Sequence, residues 1–203
     1  MTGVEKEPAL IEAIGLKKHF MRAGPLGRRD VTRAVDGVDF SLHQGRTLSV
    51  VGESGCGKST LSRMILRLTE PTEGTVRFRG RDIGSLDAAQ MKQLRREMQV
   101  VFQNPYGSLN PRQSIESILE EPLRIHGIGD AGERSRTVTR LMDMVGIPPA
   151  HRRRYPHEFS GGQRQRIGIA RALALDPVLV VCDEPVSALD VSVKAQIINL
   201  LLE

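Results

Sequence analysis

The sequence lacks the residues that mark several classes of protein. It has two cysteines, Cys56 and Cys182, and no tryptophan. Two cysteines without metal-ligand spacing argue against a disulfide framework and favour a reducing cytosol. No apolar run approaches the roughly 20 residues that span a bilayer, and no signal peptide is recognised. These absences argue against an integral membrane protein and against a disulfide-stabilised secreted domain.

Aromatic residues are also scarce, at 3% of the sequence. The densest basic cluster, Arg152-Arg153-Arg154, has no aromatic residues interleaved with it for stacking on bases. Contact with nucleic acid or anionic lipid is one interpretation of this cluster, and a solvated loop is the preferred one. With 39% hydrophobic and 26% charged residues in a chain of 203, the composition is that of one soluble globular domain.

The sequence does contain a phosphate-binding loop. Residues 52–60, Gly-Glu-Ser-Gly-Cys-Gly-Lys-Ser-Thr, fit the pattern G-x-x-x-x-G-K-[ST]. Its glycines let the backbone turn N–H groups inward, Lys58 supplies a positive charge for phosphates, and Ser59 supplies a hydroxyl for Mg²⁺. Residues 47–51 are predicted as a buried strand and residues 59–68 as a helix, so the phosphates would lie at a helix N-terminus. A glycine-rich turn that binds nothing is the alternative, but it has no use for Lys58 and Ser59 at this spacing.

The rest of the pattern predicts an α/β core interrupted by helices. Apolar runs predict strands at 10–20, 35–42, 75–79, 98–102 and 178–182. Residues 21–32, with their glycines and charges, are predicted as a loop. From residue 103 amphipathic helices dominate. We therefore divide a single domain, 1–203, into an N-terminal α/β part at 10–102, a helical subdomain at 103–172 and a return to the core at 173–203.

Two carboxylates follow the last predicted strand. The continuous apolar run at 178–182 suits a parallel strand covered on both faces, and Asp183 and Glu184 come directly after it. Ligands gather at the carboxyl ends of strands in open α/β sheets. One carboxylate there would hold Mg²⁺ through water and the other would orient or deprotonate an attacking water. A charged pair that merely closes a strand is the alternative.

A second glycine motif opens a predicted helix. Ser160 and Gln163 fit the capping box S-x-x-Q. The capping box does not explain Gly161 and Gly162, because glycine in a first turn costs about 1 kcal/mol relative to alanine. Their exposed N–H groups suit a second anion.

In their order along the chain, these motifs resemble those of the ATP-binding subunit of an ABC transporter. The loop at 52–60, Gln103 after a strand, the motif 160–163, Asp183-Glu184 and the motif 187–190 all occur in the family's order. The segments 104–112 and 154–159 resemble the oligopeptide/dipeptide importer branch, which also contains some nickel and glutathione importers. The resemblance covers about residues 10–203. It implies a P-loop NTPase core with a mixed, largely parallel sheet, an antiparallel β subdomain and an inserted helical subdomain.

The resemblance also implies a role for each matching residue. ATP contacts are implied for Gly52, Ser54, Gly55, Cys56, Gly57, Lys58, Ser59 and Thr60. Ser160, Gly161, Gly162 and Gln163 would close over ATP bound to an opposing subunit. Ser59, Gln103 and Asp183 would surround Mg²⁺. Glu184 would act as the general base, and Gln103 is also counted among the catalytic residues. Phe20 would stack on adenine, although a core phenylalanine is the other interpretation.

Partners follow from the same resemblance. Two copies or two related subunits would form a head-to-tail dimer, with Asp190 at its interface. A membrane permease would dock near Gln103, a substrate-binding protein would act through the permease, and no nucleic-acid partner is expected. The chain would thus work peripherally at the cytoplasmic face of the cell membrane.

One departure from the family's pattern concerns the end of the sequence. The family places a histidine that contacts the γ-phosphate one strand beyond the helix after Asp190, and His126, His151 and His157 all lie too early. We therefore expect a domain whose core lacks its C-terminal part, and which binds ATP weakly and hydrolyses it slowly. An ABC ATPase acting on DNA or ribosomes and a non-catalytic interaction fragment are the alternatives.

Overall fold

The computed structural model describes residues 8–23, 29–185, 194 and 198–199. The chain forms two structural units, Met1–Lys92 and Gln93–Glu203.

The N-terminal unit contains a four-stranded antiparallel sheet. Its strands are β1 (Ile11–Ala23), β2 (Arg29–Leu42), β3 (Glu73–Phe78) and β4 (Arg81–Asp82). Their order in the sheet is β2-β1-β3-β4. Alternating apolar residues explain which face is covered, because Ile11, Ala13, Val76 and Phe78 are all buried. Helix α1 (Lys58–Ile65) follows the phosphate loop, as predicted, and helix α2 (Ala88–Glu97) spans the boundary between the two units.

The predicted loop at 21–32 is wrong at both of its ends. Met21 pairs with Val31 and Phe20 with Thr32, so β1 and β2 continue as a hairpin ribbon beyond the predicted strands. Met21 is 71% exposed and Val31 52% exposed. Paired residues that are exposed, as Met21 and Val31 are, produce no apolar alternation, which is why the sequence did not indicate this pairing. The glycine-rich centre of the predicted loop, 24–28, lies outside the described residues.

The predicted buried strand at 47–51 is also wrong. Among the described residues no strand pairs with this segment, and its backbone joins no ladder. Leu48 is 45% exposed, Val50 50% and Val51 92%. An apolar run forms a strand only where a neighbouring strand receives its hydrogen bonds, and the apolar pattern alone cannot supply that neighbour.

The C-terminal unit pairs two parallel strands and surrounds a helical core. The strands are β5 (Met98–Val101) and β6 (Leu179–Cys182), with Met98 opposite Leu179. Between them lie α3 (Pro105–Ser108), α4 (Ile115–Ile125), α5 (Ala131–Met144) and α6 (Gly161–Leu173), with single 3-10 turns at Pro149–His151 and Pro156–Glu158.

Spacing along α4 and α5 accounts for the core of this unit. Each helix has one buried apolar face, which consists of Ile115, Ile118, Leu119 and Leu123 on α4 and of Val138, Leu141, Met142 and Val145 on or next to α5. Phe159 and Ile167 join the same cluster. Helix α5 ends at Met144, and Gly146 follows in the left-handed conformation, with φ of 67°. None of the described helices combines the length and the hydropathy needed to cross a membrane.

Candidate functional site

The phosphate loop depends on a glycine at its junction with α1. Gly57 has φ of 101° and caps the helix. A Cβ atom there would lie 1.9 Å from the carbonyl oxygen of Ala34 on β2. At Gly52 a Cβ atom would lie 2.6 Å from the sulfur of Cys56. The loop packs so closely on β2 and on itself that larger residues cannot take these two positions without moving the backbone or the cysteine.

Lys58 folds back over this loop. Its Nζ donates to the carbonyl oxygens of Gly52 at 2.9 Å and Glu53 at 2.8 Å, and it lies 4.0 Å from the sulfur of Cys56. Helix α1 has neither a side-chain cap at its start nor an acidic residue in its first turn. The lysine and the positive end of the helix dipole therefore act in the same place, and an anion at the loop would benefit from both.

The other predicted loop residues lie where the pattern requires. Ser54 and Gly55 form a turn, and Gly55 has φ of 82°. Ser59 and Thr60 stand half-buried in the first turn of α1.

Phe20 belongs to the exposed end of β1. It is 43% exposed, and the Nζ of Lys18 lies 5.3 Å from the centroid of its ring. The same ammonium donates to the carbonyl oxygen of Glu70 at 2.7 Å. The interpretation of Phe20 as a core residue is therefore wrong, because the ring remains open for stacking.

The two carboxylates stand at the carboxyl end of the parallel strand pair. Asp183 is 9% exposed, and its backbone N–H donates to the carbonyl oxygen of Val101 at 3.0 Å, which extends the ladder by one bond. Glu184 follows in the left-handed region, with φ of 47°, which turns the chain away from the strand. The parallel ladder brings the carboxyl ends of β5 and β6 side by side. Ligands gather at such ends in open α/β sheets.

Gln103, which comes two residues after β5, reaches this carboxylate pair. Its Nε2 donates to Oε2 of Glu184 at 2.9 Å. The amide oxygen of Gln103 takes no part in that bond and is the atom suited to a cation. Within the C-terminal unit, the structure thus brings together Gln103, Asp183 and Glu184 from positions far apart in the sequence.

The capping box that opens α6 is confirmed. The N–H of Gln163 bonds the hydroxyl of Ser160 at 3.3 Å, and the N–H of Ser160 bonds the amide oxygen of Gln163 at 3.0 Å. Gly161 and Gly162 form the half-buried first turn, which contains no acidic residue. The second anion contact expected at this turn stays a prediction. The predicted motif at 187–190, with Asp190, lies outside the described residues.

Two polar residues of α6 that the sequence did not single out contact the segment after β5. Gln165 is 2% exposed, and its Nε2 donates to the carbonyl oxygen of Phe102 at 3.3 Å. Arg171 donates to the carbonyl oxygen of Ser108 at 2.5 Å. Burial lowers the pKa of the Arg171 guanidinium, and the nearby Glu121 opposes that shift. The sequence did offer a signal for Gln165. This glutamine lies four residues before Ile169 and seven before Ala172, which places it on a helical face that is otherwise apolar.

In the basic cluster 152–154, Arg152 is neither part of a solvated loop nor free for contact with nucleic acid or lipid. Its guanidinium donates to Glu116 on α4 at 2.7 Å, and to Ser135 at 3.0 Å and Thr139 at 3.2 Å on α5. The backbone carbonyl of Arg152 also accepts the N–H of Glu116 at 2.9 Å. Arg152 is thus a structural tie between two helices, while Arg153 is exposed.

The predicted metal ligands fit Mg²⁺ by their chemistry. The set is a hydroxyl from Ser59, an amide oxygen from Gln103 and a carboxylate from Asp183, all of them hard oxygen donors. Among the described residues no three His, Cys, Asp or Glu side chains gather as a metal cage.

The α/β fold, the glycine loop ahead of α1 and the carboxylates after β6 define a P-loop nucleotide-binding protein. A family profile described as "ABC transporter" matches residues 35–187. The chain therefore belongs to the ABC transporter family, which confirms the resemblance seen in the motifs.

Curated relatives place the chain near a particular branch. It is 52% identical to the oligopeptide transport ATP-binding protein AppF of Bacillus subtilis, an alignment that covers 100% of this chain and 62% of AppF. It is 53% identical to the glutathione import ATP-binding protein GsiA of Salmonella paratyphi A, over 100% of this chain and 33% of GsiA. The chain thus spans less than two thirds of the length of these relatives.

A solved structure supports the fold. The dimeric ATP-binding cassette MJ0796, in a post-hydrolysis state bound to ADP and Pi, superimposes with a TM-score of 0.83 at 30% identity. The match covers 94% of this chain and 81% of MJ0796.

Proposed function

We propose that this chain binds and hydrolyses ATP to energise an importer of oligopeptides or dipeptides. A phosphate loop by itself indicates only nucleotide binding. The observation that supports hydrolysis is the hydrogen bond from Gln103 to Glu184 at the carboxyl end of β5 and β6. It supports the proposal because a carboxylate held by an amide is suited to orient an attacking water.

In this proposal the N-terminal unit binds the nucleotide. Lys58 moves from the carbonyls of Gly52 and Glu53 to the β- and γ-phosphates, while the backbone of 54–60 donates to phosphate oxygens. Phe20 stacks on adenine with the ring face that remains exposed. Ser59, Gln103 and Asp183 would hold Mg²⁺, and the ion would neutralise part of the phosphate charge.

Glu184 is the general base. Its carboxylate takes a proton from water as the water oxygen attacks the γ-phosphorus, and the bond to the β-phosphate oxygen breaks to release ADP and phosphate. The hydrogen bond donated by the Gln103 amide restricts the orientation of the Glu184 carboxylate. A general base of this kind contributes about 10²–10⁴-fold to a rate.

The proposal includes a dimer with two shared sites. Ser160, Gly161, Gly162 and Gln163 would contact the γ-phosphate of ATP held by the opposing subunit, through N–H groups at the start of α6. The dimeric state of the similar cassette MJ0796 supports this arrangement. A membrane permease and a substrate-binding protein complete the importer, with this subunit at the cytoplasmic face of the membrane.

Peptide cargo is proposed from the relatives. AppF is named for oligopeptide transport and the DppF protein of Haemophilus influenzae, 51% identical, for dipeptide transport. GsiA, named for glutathione import, is equally similar. Glutathione is itself a short peptide, so the chemical class of cargo is shared, and transport assays with radiolabelled dipeptides and glutathione would separate the two.

Glu184→Gln tests the central claim. We expect single-turnover hydrolysis of Mg-ATP to fall at least about 100-fold, because the general base is removed. We also expect an ATP-dependent dimer to accumulate on size-exclusion chromatography, because the sandwiched nucleotide is no longer cleaved. Glu70→Gln is the matched control, since Glu70 is a surface side chain that is 78% exposed.

Two results would contradict the proposal. One is an unchanged rate in Glu184→Gln. The other is a chain that stays monomeric with Mg-ATP in both the natural and the substituted form. Salt-sensitive binding to DNA or RNA, measured in parallel, would instead favour an ABC ATPase that acts on nucleic acid.

A further inference from the structure

Gln165 is a buried polar residue on the core-facing side of α6. Its side chain is 2% exposed and its amide donates to the carbonyl oxygen of Phe102. A buried amide destabilises a fold unless it is hydrogen-bonded, and an apolar side chain of similar size would fill the same space without that requirement. The contact with Phe102 is therefore the feature of Gln165 that an apolar residue could not replace.

The Phe102 carbonyl belongs to the same planar peptide unit as the N–H of Gln103. Fixing that carbonyl fixes the plane of this peptide, which contains the Cα atom from which the Gln103 side chain extends. Gln103 in turn donates to Oε2 of Glu184 at 2.9 Å. A continuous path of two hydrogen bonds and one rigid peptide thus leads from α6 to the carboxylate at the end of β6.

Arg171 holds the far end of the same segment. It stands six residues after Gln165, so the two side chains are about 9 Å apart along the helix axis. Its guanidinium donates to the carbonyl oxygen of Ser108. Side chains of α6 therefore donate hydrogen bonds to both ends of the segment 102–108. The first turn of α6 is itself stabilised by the Ser160–Gln163 capping box.

We propose that Gln165 is a positioning residue that couples the first turn of α6 to the general base, by holding the 102–103 peptide so that Gln103 reaches Glu184. A displacement of α6 by an anion bound at the Ser160–Gly162 turn would then also displace the Gln103 amide. This inference rests on the proposed function for its kinetic consequence, and on the geometry alone for its structural one.

The structural consequence is tested first, with Gln165→Leu. Leucine is close in size and has no donor. The readout is the side-chain amide signal of Gln103 in a ¹H–¹⁵N NMR spectrum of the full 203-residue chain, identified by its loss in Gln103→Glu. We expect this signal to move toward the position of a solvent-exposed glutamine in Gln165→Leu. If Gln165→Leu does not fold, Gln165→Glu retains the size and polarity while replacing the donor by an acceptor, and the same shift is expected.

Arg166→Met is the matched control. Arg166 is the next residue of α6 and donates to the carbonyl oxygen of Val145 at 3.4 Å, near the end of α5. The substitution Arg166→Met removes this hydrogen bond from a side chain of α6 to a backbone carbonyl, at a place away from residues 102–108. We expect the Gln103 signal to stay in place in this variant. An unmoved Gln103 signal in the Gln165 variants, or an equal shift in Arg166→Met, would overturn the inference.

The kinetic consequence is a separation of turnover from binding. In Gln165→Leu we expect kcat for ATP to fall about tenfold, with KM within twofold of the natural value. A tenfold fall is the loss expected when the hydrogen bond from Gln103 to the charged Glu184 is weakened. A parallel change of kcat and KM, or an unchanged kcat, would overturn the coupling. If the unsubstituted chain does not hydrolyse ATP at all, the proposed function fails, and the NMR result still decides whether Gln165 positions Gln103.

Discussion

A Cβ atom on Gly57 would lie 1.9 Å from the carbonyl oxygen of Ala34. That oxygen belongs to the backbone of β2, so the crowding cannot be relieved by turning a side chain. Gly57 also has φ of 101°, where any other residue is strained. The end of the phosphate loop is therefore fixed by its contact with a strand as well as by its role toward phosphate.

Gly57→Ala is expected to lower the free energy of unfolding by at least about 2 kcal/mol, because backbone strain of about 1–3 kcal/mol adds to the contact with Ala34. ATP binding should be lost with it. Urea denaturation and equilibrium dialysis would measure the two effects. Gly80→Ala is the control, since Gly80 has φ of 77° but nothing within 4 Å of the added atom, and its expected cost is about 1 kcal/mol with ATP binding retained. Equal costs at both positions would show that the Ala34 contact is unimportant.

Phe20→Ala tests the adenine contact. Stacking of a base on an aromatic ring is worth about 1–3 kcal/mol, so we expect the Kd for ATP to rise about tenfold. Binding of inorganic triphosphate should not change, because it has no base. Met21→Ala is the neighbouring control on the same strand, at a residue that is 71% exposed. If Phe20→Ala weakens ATP and triphosphate equally, or neither, the stacking role is wrong.

Arg152→Met is expected to destabilise the C-terminal unit. The guanidinium joins Glu116 on α4 to Ser135 and Thr139 on α5, and its loss leaves a carboxylate without its partner. We expect the free energy of unfolding to fall by about 2 kcal/mol, as for hydrogen bonds to a charged group. Arg153→Met, one residue on at an exposed site, should change it by no more than about 0.5 kcal/mol. A similar effect of the two substitutions in urea denaturation would contradict the tie between the helices.

Asp130 makes part of the stability depend on pH. The backbone N–H of Glu133 donates to its carboxylate at the start of α5, which lowers the pKa of Asp130 below its ordinary value of 3.8. A group whose pKa is lower in the folded state contributes stability above its unfolded pKa and loses that stability as the pH falls through the folded one. Below about pH 4, stability should therefore decline with acid at this site.

Asp130→Asn retains a capping acceptor and removes the titration. We expect its melting temperature to fall less steeply between pH 5 and pH 3, in the window set by the ordinary value of 3.8 and the lowered folded-state pKa. Asp143→Asn, at an exposed position of α5, is the comparison. Parallel curves for the natural chain and Asp130→Asn would show that the cap carries no such charge effect.

Local features of this chain were predictable from sequence. The loop at 52–60 could be identified because its glycines, lysine and serine serve one local geometry. The Ser160–Gln163 cap and the apolar faces of α4 and α5 follow from spacing within single helices. Each of these depends on residues a few positions apart.

Features that depend on a distant partner were not predictable. Arg152 resembles its exposed neighbour Arg153 in sequence, and only the arrangement of α4 and α5 distinguishes them. Met21 and Val31 pair across β1 and β2 while both side chains are exposed, so no apolar alternation marks this pairing. The apolar run at 47–51 indicated a strand, but a run cannot indicate whether a neighbouring strand is present. The role of Gln165 likewise depends on its hydrogen bond to the carbonyl oxygen of Phe102, which lies outside α6.

The Gln103–Glu184 hydrogen bond joins residues 81 positions apart, whereas the longest bond of Lys58 within the phosphate loop spans 6. Closing the longer span costs about 2 kcal/mol more in chain entropy, and contacts of high sequence separation form late in folding. During synthesis the loop also leaves the ribosome well before the second carboxylate motif does. Under the proposed function, the growing chain would therefore have its nucleotide-binding loop before it has the carboxylate that would act in cleavage.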